Sequence, residues 1–318
     1  MTIYAGTDAP KLLQIGPLPP GLTQSLQQHY RLHPLWLEHD RETFLKAHAG
    51  TFAGGVTMSR HGGQADVLAC LKGTVLACFG TGFDGIDLHA ASQYGVAVST
   101  TPDVLTDCVA DIAFGLVLAT ARQMVAADRF VQAGSWVNGA FPLATRVSGK
   151  RLGIVGLGRI GAAIARRSSG FDMPVRYYGR QAKPGVSYGF ESDLLALAGW
   201  ADFLVVACRG GPETHRLISA QVLDALGPQG FLINIARGTV LDEDALVSAI
   251  TRGALAGAGL DVFEREPHVP AALLNNDRTV VLPHVAATTH ETRAAMEQLV
   301  VDNLASFFKT GRVLTPPA

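Results

Sequence analysis

Cysteine and charge are both scarce in this chain, and each scarcity narrows the classes of protein to which it can belong. The 318 residues include four cysteines, which are Cys70, Cys78, Cys108 and Cys208. Their spacing matches no metal-binding motif, and each lies in an apolar stretch. We therefore expect four reduced thiols in the protein interior and no metal site.

Basic runs and long apolar segments are missing as well. The net charge is −1 and charged residues make up 17% of the chain, which argues against a nucleic-acid or membrane-surface binder. The most apolar helical segment, residues 112–121, is too short to span a bilayer. The first residues show neither the positive start nor the apolar stretch of a signal peptide. These absences favour a cytoplasmic protein with a small-molecule partner, and no nucleic-acid or membrane partner.

The most informative stretch that is present is RLGIVGLGRIG, residues 151–161. A short apolar run is followed by Gly156, Gly158 and Gly161 in the order GxGxxG, and then by a helical pattern that opens with Arg159 and Ile160. The first glycine allows a tight turn, the second allows a pyrophosphate to approach, and the third allows helix and strand to pack closely. A chain with 35 glycines can contain this spacing by chance, but the strand–turn–helix context predicts a dinucleotide site.

Short apolar runs alternate with helical patterns on both sides of this motif. Before it, strands are predicted over 12–15, 56–58, 75–79 and 96–99, and helices over 23–30, 41–48, 65–71 and 86–94. After it, strands are predicted over 152–155, 175–178, 203–207, 231–235, 257–262 and 279–282. This rhythm predicts two α/β units with doubly wound parallel sheets, a flavodoxin-like one and a Rossmann one. One long helix is predicted over 104–133, and another, over 291–309, can cross back to the first unit.

Three ionisable residues follow strands of the second unit: Arg237, Glu266 and His284. Each alone can have an ordinary structural role: Arg237 can cap a helix, Glu266 can be a solvated loop acid, and His284 can simply end a strand. Together, at the carboxyl edge of a nucleotide-binding sheet, they suit the reduction of a 2-keto acid. A guanidinium binds a carboxylate and polarises a carbonyl, a histidine donates a proton near neutral pH, and a carboxylate orients that histidine.

The segments VGLGRIG, INIARGTVLDEDAL, AGAGLDVFEREP and LPHVAATTHET resemble the signature blocks of the D-isomer-specific 2-hydroxyacid dehydrogenases, closest to their NADPH-dependent glyoxylate/hydroxypyruvate reductase branch. The resemblance implies that Arg237 binds substrate, that His284 is the general acid/base and that Glu266 tunes it. It implies that the amides of Thr81 and Gly82 meet the substrate carboxylate. It also implies cofactor contacts beyond the glycine motif, at Thr106, Arg159, Ile160, Cys208, Thr214, Ala236 and Asp261.

The same resemblance implies a domain organisation. The substrate domain is expected to be discontinuous, with residues 1–100 and 289–318, and the cofactor domain is expected over 101–288. A homodimer is expected through a dimerisation helix at 104–136. Trp136 is either an ordinary packing residue or one that reaches the partner's pocket.

The expected end of the second strand in the cofactor unit lacks an acid. An NAD site usually has Asp or Glu there, which binds the ribose hydroxyls. This chain has Gly179 and Arg180 instead, with Lys183 close by. Because a guanidinium suits a 2′-phosphate, we expect NADPH rather than NADH. Arg209 stands where the family usually has proline; it is either a second phosphate contact or a surface substitution.

Two further questions stay open at this point. Arg60 lies in a loop that should face the substrate, where it either contacts the substrate's tail or is solvated. A nucleotide-sensing corepressor with the same three residues is the alternative to an enzyme. Such proteins typically carry extra tails, and this chain stops at residue 318, so we expect an enzyme. Glyoxylate and hydroxypyruvate are the expected substrates, and a phenylpyruvate-like acid is the bulkier alternative.

Overall fold

The computed structural model describes residues 9–317, and this part of the chain divides into two compact units. Unit 1 contains the residues up to 105 and those from 289 onward, and unit 2 contains residues 106–288. Within the described part, no single helix is long and apolar enough to cross a membrane; one bent pair of helices passes that test by length and composition only.

The strands of unit 1 are Lys11–Gln14 (β1), Arg31–Pro34 (β2), Gly54–Met58 (β3), Val75–Phe79 (β4) and Ala97–Ser99 (β5). Those of unit 2 are Leu152–Val155 (β6), Val175–Tyr178 (β7), Gly189–Glu191 (β8), Phe203–Val206 (β9), Phe231–Asn234 (β10), Gly257–Leu260 (β11) and Thr279–Val281 (β12). The α-helices are Pro20–Gln27 (α1), Arg41–Ala47 (α2), Ala65–Cys70 (α3), Leu88–Tyr94 (α4), Thr106–Ala121 (α5), Met124–Gln132 (α6), Arg159–Ser168 (α7), Leu194–Trp200 (α8), Ala220–Leu226 (α9), Glu243–Thr251 (α10) and His290–Thr310 (α11).

Both sheets are parallel, so the predicted fold class is confirmed. The five strands of unit 1 lie in the order β2-β1-β3-β4-β5, which is the flavodoxin-like order. The seven strands of unit 2 lie in the order β12-β11-β10-β9-β6-β7-β8, a Rossmann order with one added strand. In such a sheet the ligand crevice lies beyond the carboxyl ends of the strands, where the order reverses between β6 and β9.

Two strands, β2 and β8, were absent from the sequence prediction. Both are edge strands, and their residues are half-buried or exposed. Neither strand is buried on both faces, so neither has the continuous apolar run that marks a central parallel strand. The other two edge strands, β5 and β12, keep mostly buried residues, and the sequence predicts both.

The single long helix predicted over 104–133 is wrong, because the chain forms α5 and α6 with a bend of 59° between them. Gln123 has φ +50°, a left-handed conformation that interrupts the helix. One face of α5, with Ala110, Ala113, Leu116, Val117 and Ala121, is buried, and this helix packs on β10, β11 and α7. In α6, only Ala126 is buried.

Helix α11 completes unit 1 by packing on β4 and α1. Its fully buried Asn303 donates a hydrogen bond to Leu299 O and accepts others from the N–H groups of Leu314 and Thr315. Thr100 N–H in turn donates to Thr315 O. The last segment of the described chain is thus joined to the five-stranded unit.

Candidate active site

The glycine motif forms the turn between β6 and α7, and each glycine meets a different constraint. Gly156 has φ +95°, and a Cβ there would lie 2.6 Å from the Cα of Cys208. A Cβ on Gly161 would collide with the carbonyl oxygen of Gly156. A Cβ on Gly158 would meet nothing within 4 Å. Two of the glycines therefore serve packing, and the third leaves space open at the start of the helix.

That open space lies at the N-terminus of α7, whose N-cap is Gly158 and whose first residues are Arg159 and Ile160. The free N–H groups and dipole at a helix N-terminus favour an anion. No side chain caps this end. The turn therefore fits the pyrophosphate of a dinucleotide.

The chain after β7 carries positive charge only. Residues 179–188 read GRQAKPGVSY, with Arg180 and Lys183 and no acid. Arg180 is exposed, and within the described residues its side chain makes no hydrogen bond or ion pair. This is the position where an NAD site would carry a carboxylate.

The loop after β9 contains Cys208, Arg209 and Thr214. The Thr214 hydroxyl donates to Arg209 O at 2.8 Å and closes the loop on itself. Cys208 is half-buried, and burial raises the pKa of its thiol to about 11. All four cysteines are free; Cys70 and Cys78 are buried, whereas Cys108 and Cys208 are only half-buried.

A buried asparagine that the sequence analysis missed shapes the loop after β10. The Asn234 amide donates to Arg237 O and accepts from the N–H of Ala236, both at 3.0 Å. Arg237 itself is half-buried, and its Nη1 donates to Ala236 O at 2.8 Å. The signal was a lone polar residue at the end of the apolar strand FLIN. Asn234 therefore fixes the backbone from which the Arg237 side chain projects.

Asp261 follows β11 and binds the loop that carries His284. Its carboxylate oxygens accept hydrogen bonds from Val285 N–H at 2.8 Å and Ala286 N–H at 2.9 Å. The residue is 1% exposed, and this burial raises its pKa although both hydrogen bonds and the charge of His284 act against the rise. The structure thus gives Asp261 a second task besides the predicted cofactor contact.

Glu266 and His284 form a hydrogen-bonded pair. Nδ1 of His284 lies 2.8 Å from Oε2 of Glu266, and Oε1 accepts from Phe263 N–H at 3.2 Å. Burial alone raises the pKa of the Glu266 carboxyl. Four interactions outweigh burial and lower this pKa: the hydrogen bond from His284, the charge of His284, the hydrogen bond from Phe263 N–H and the charge of Arg237. Glu266 is therefore an ionised acceptor that fixes the histidine ring and leaves Nε2 for another partner.

The Arg237 and Glu266 loops touch through their backbones. A Cβ on Gly238 would collide with the carbonyl group of Phe263, so only glycine allows this approach. Glu243, at the start of α10, accepts from Glu264 N–H at 3.1 Å. The structure thus brings Arg237, Glu266 and His284 to the carboxyl edge of one sheet.

The remaining predicted residues occupy other places. Arg60, which is exposed, follows β3, and the half-buried Thr81 and Gly82 follow the neighbouring strand β4, so the two loops share one edge of the unit 1 sheet. Thr106 is the first residue of α5. Within the described residues, no group of three or more His, Cys, Asp or Glu side chains can hold a metal ion.

Comparison with known proteins places this geometry in a family. Residues 114–286 match the model of the D-isomer specific 2-hydroxyacid dehydrogenase NAD-binding domain. A hydroxyphenylpyruvate reductase of Plectranthus scutellarioides is 45% identical over 96% of this chain and 98% of its own. A glyoxylate/hydroxypyruvate reductase of Arabidopsis thaliana is 42% identical with the same coverage.

Solved structures agree with these relatives. The NADPH-dependent glyoxylate/hydroxypyruvate reductase of Sinorhizobium meliloti, in complex with NADP and malonate, has a TM-score of 0.88 and 39% identity, over 98% of this chain and 97% of that one. These relatives are reductases, so the corepressor alternative has no support. The chain belongs to the D-isomer specific 2-hydroxyacid dehydrogenases.

Proposed function

We propose that this protein reduces small 2-keto acids to D-2-hydroxy acids with NADPH, and that glyoxylate, hydroxypyruvate and phenylpyruvate-like acids are its substrates. The observation that carries the proposal is the Glu266–His284 pair at 2.8 Å, on the sheet edge that also holds Arg237 and the glycine turn. The activities by which the plant and bacterial relatives are named support it.

The residues divide the chemistry among them. Arg237 binds the substrate carboxylate and polarises the carbonyl, because its planar fork matches a carboxylate and carries a fixed charge. His284 donates the Nε2 proton to the oxygen that becomes the hydroxyl. Glu266 keeps the ring oriented and balances the positive charge of the protonated ring. Bound NADPH supplies the hydride to the carbonyl carbon.

The same proposal assigns the remaining contacts. The glycine turn, with Arg159 and Ile160, would hold the pyrophosphate, and Asp261 the carboxamide. Thr81 and Gly82 of unit 1 would bind the substrate carboxylate through their amides, and Arg60 its tail. Residues 1–100 with 289–318 would then form the substrate domain, and residues 101–288 the cofactor domain. Further cofactor contacts are proposed at Thr106, Gly179, Cys208, Arg209, Thr214 and Ala236.

NADPH is preferred in this proposal because the chain after β7 offers a guanidinium and no carboxylate. Asp or Glu at this position would repel a 2′-phosphate, whereas Arg180 attracts one. The exposure of Arg180 and the absence of any partner for it in the described residues support this role. The complex of the bacterial relative with NADP also supports it.

A homodimer is the proposed assembly. Six large apolar side chains are exposed between residues 124 and 143 of unit 2, namely Met124, Val125, Val131, Trp136, Val137 and Leu143. Exposed apolar groups concentrated in one short stretch of chain favour an interaction site. Light scattering should give twice the chain mass, and Val131→Asp with Val137→Asp should give the single-chain mass.

A cytoplasmic location is part of the same proposal. The free cysteines are typical of a reducing compartment, which supports this location.

One assay tests the central proposal: the fall in reduced-nicotinamide absorbance with NADPH or NADH against glyoxylate, hydroxypyruvate and phenylpyruvate. Fast turnover with NADPH is expected, and Arg180→Ala should weaken NADPH while leaving NADH nearly unchanged. Turnover with NADH alone would contradict the cofactor preference. The absence of turnover with every pair, in protein that binds the cofactor, would contradict the reductase.

A further inference from the structure

A loop of unusual composition joins β7 to the edge strand β8. Residues 180–187 carry two cations, Arg180 and Lys183, and no acid, and all but Val186 are exposed. A loop of this kind has no core of its own, and each of its long cationic side chains loses rotamer freedom when it is fixed on a ligand. Something must therefore fix the loop if both cations are to meet one phosphate.

The anchor is a hydroxyl group inside the sheet. The N–H of Lys183 donates to Oη of Tyr177 at 2.7 Å. In the part of the chain that the structure describes, this is the only hydrogen bond between the loop of residues 180–187 and a side chain. Tyr177 is 2% exposed, and its ring packs against Phe190 of β8 with 5.5 Å between ring centroids.

The geometry of the strand explains why Tyr177 and not its neighbour does this. Successive side chains of a strand point to opposite faces, so Tyr177 and Tyr178 lie on different sides of the sheet. A buried tyrosine hydroxyl requires a polar partner, and here that partner is the backbone of the loop. Pro184 restricts Lys183 to an extended conformation. The hydroxyl and the proline therefore hold the backbone of Lys183 between them.

We propose that Tyr177 is a specificity-determining positioning residue: its hydroxyl holds the loop of residues 180–187 so that Arg180 and Lys183 together bind the 2′-phosphate of NADPH. Tyr177 itself does not touch the cofactor. The inference rests on the proposed NADPH preference and deepens it, because it adds a second cation and the group that organises both.

Binding of nucleotide fragments tests the inference without any turnover. Titration calorimetry on the full chain would compare 2′,5′-ADP with 5′-AMP, which differs from it only by the absence of the 2′-phosphate. Tyr177→Phe should raise the Kd for 2′,5′-ADP about three- to tenfold, the range expected for one hydrogen bond, and leave the Kd for 5′-AMP unchanged. Lys183→Ala should show the same selectivity. Tyr178→Phe, a neighbouring loss of one hydroxyl, is the matched control and should change neither Kd.

A second pair of variants examines the same bond from its donor side. Lys183→Ala and Lys183→Pro both lose the ammonium group, but only the proline loses the N–H. Lys183→Pro should therefore bind 2′,5′-ADP more weakly than Lys183→Ala does, with the binding of 5′-AMP again unaffected. This comparison keeps the inference testable if Tyr177→Phe does not fold.

The same binding experiments distinguish failure of the proposed NADPH preference from failure of the proposed role of Tyr177. Equal binding of 2′,5′-ADP and 5′-AMP by the unchanged protein would overturn the NADPH preference and this inference with it. A clear preference for 2′,5′-ADP that Tyr177→Phe retains in full would overturn the anchor alone. Equal weakening of both ligands by Tyr177→Phe would make Tyr177 an ordinary core residue of the sheet and would also overturn it.

Discussion

His284 Nδ1 and Glu266 Oε2 lie 2.8 Å apart, although the two residues follow different strands of the sheet. Each is held from a second side. Glu266 accepts the N–H of Phe263, and the loop of His284 is bound by Asp261 through the two N–H groups that follow the histidine. The pair is therefore preorganised by the chain itself, which is what a proton donor of fixed direction requires.

Loss of the imidazole should abolish most of the turnover without unfolding the protein. His284 has φ +55°, a conformation that asparagine tolerates better than alanine, so His284→Asn removes the acid with less backbone strain than His284→Ala. We expect kcat to fall about a hundredfold or more, with Tm nearly unchanged. Steady-state kinetics measures kcat, and thermal denaturation measures Tm. Full activity in His284→Asn would contradict the role of proton donor.

Glu266 should make stability depend on pH on the acid side. Its pKa in the fold lies below the ordinary value, so between the two values the unfolded chain binds a proton that the folded chain does not, and stability rises with pH there. The contribution is complete above the ordinary pKa and is lost as pH falls through the lowered one. Glu266→Gln cannot titrate. The Tm advantage of the unchanged protein over Glu266→Gln should therefore shrink as pH falls from about 6 to about 3.

Glu243 supplies a control of opposite sign. Burial raises the pKa of its carboxyl, against the hydrogen bond from Glu264 N–H. Its ionised form is therefore disfavoured in the fold, and Glu243→Gln should raise Tm near neutral pH and lose that gain in acid. If both variants showed the same pH trend, the attribution of the acid-side dependence to the Glu266–His284 pair would be wrong.

The sequence was sufficient to predict the central strands, because β6, β9 and β10 are completely buried and their residues form apolar runs. It was not sufficient for the edge strands β2 and β8, which lack that run. The break at Gln123 also had no local signal, since neither glycine nor proline stands between α5 and α6. A periodic apolar pattern alone does not contain this break.

The residues of the candidate active site also divide into those that the sequence predicts and those that it does not. Arg237, Glu266 and His284 were found because each follows a strand whose carboxyl end must meet the others at one edge. Asn234 and the hydroxyl of Tyr177 were not found, because their partners are backbone groups of loops whose path the sequence does not give. The bonds from Asp261 to the His284 loop were invisible for the same reason.

The glycine motif offers a pair of equal substitutions with opposite outcomes. Gly158→Ala places a methyl group in open space, whereas Gly161→Ala places it on the carbonyl of Gly156. Gly158→Ala should keep its Tm and weaken NADPH and NADH alike, because the methyl group occupies the space proposed for the pyrophosphate. Gly161→Ala should lose about 1–3 kcal/mol of stability. Thermal denaturation and cofactor titration separate the two, and a Gly158→Ala variant with unchanged affinity would contradict the proposed phosphate site.

Asn234 should affect substrate binding through Arg237. Asn234→Asp keeps the acceptor for Ala236 N–H but replaces the donor to Arg237 O with a carboxylate oxygen, in a position that is fully buried. The loop must move to relieve the contact between two acceptors, at a cost of about 1–3 kcal/mol. We expect the KM for the keto acid to rise about tenfold or more, since small displacements of a binding group are costly, while the Kd for NADPH stays nearly constant.

Asn303→Asp separates this effect from simple loss of stability. Asn303 is equally buried, and its amide also donates to a backbone carbonyl and accepts from backbone N–H groups, but it joins α11 to the last segment of unit 1. Its variant should lower Tm to a similar degree. If Asn234 acts by holding Arg237, only Asn234→Asp should raise the keto-acid KM out of proportion to its loss of Tm. Equal increases in the two variants would reduce Asn234 to a core residue, and would leave the direction of the Arg237 side chain to the hydrogen bond between its Nη1 and Ala236 O.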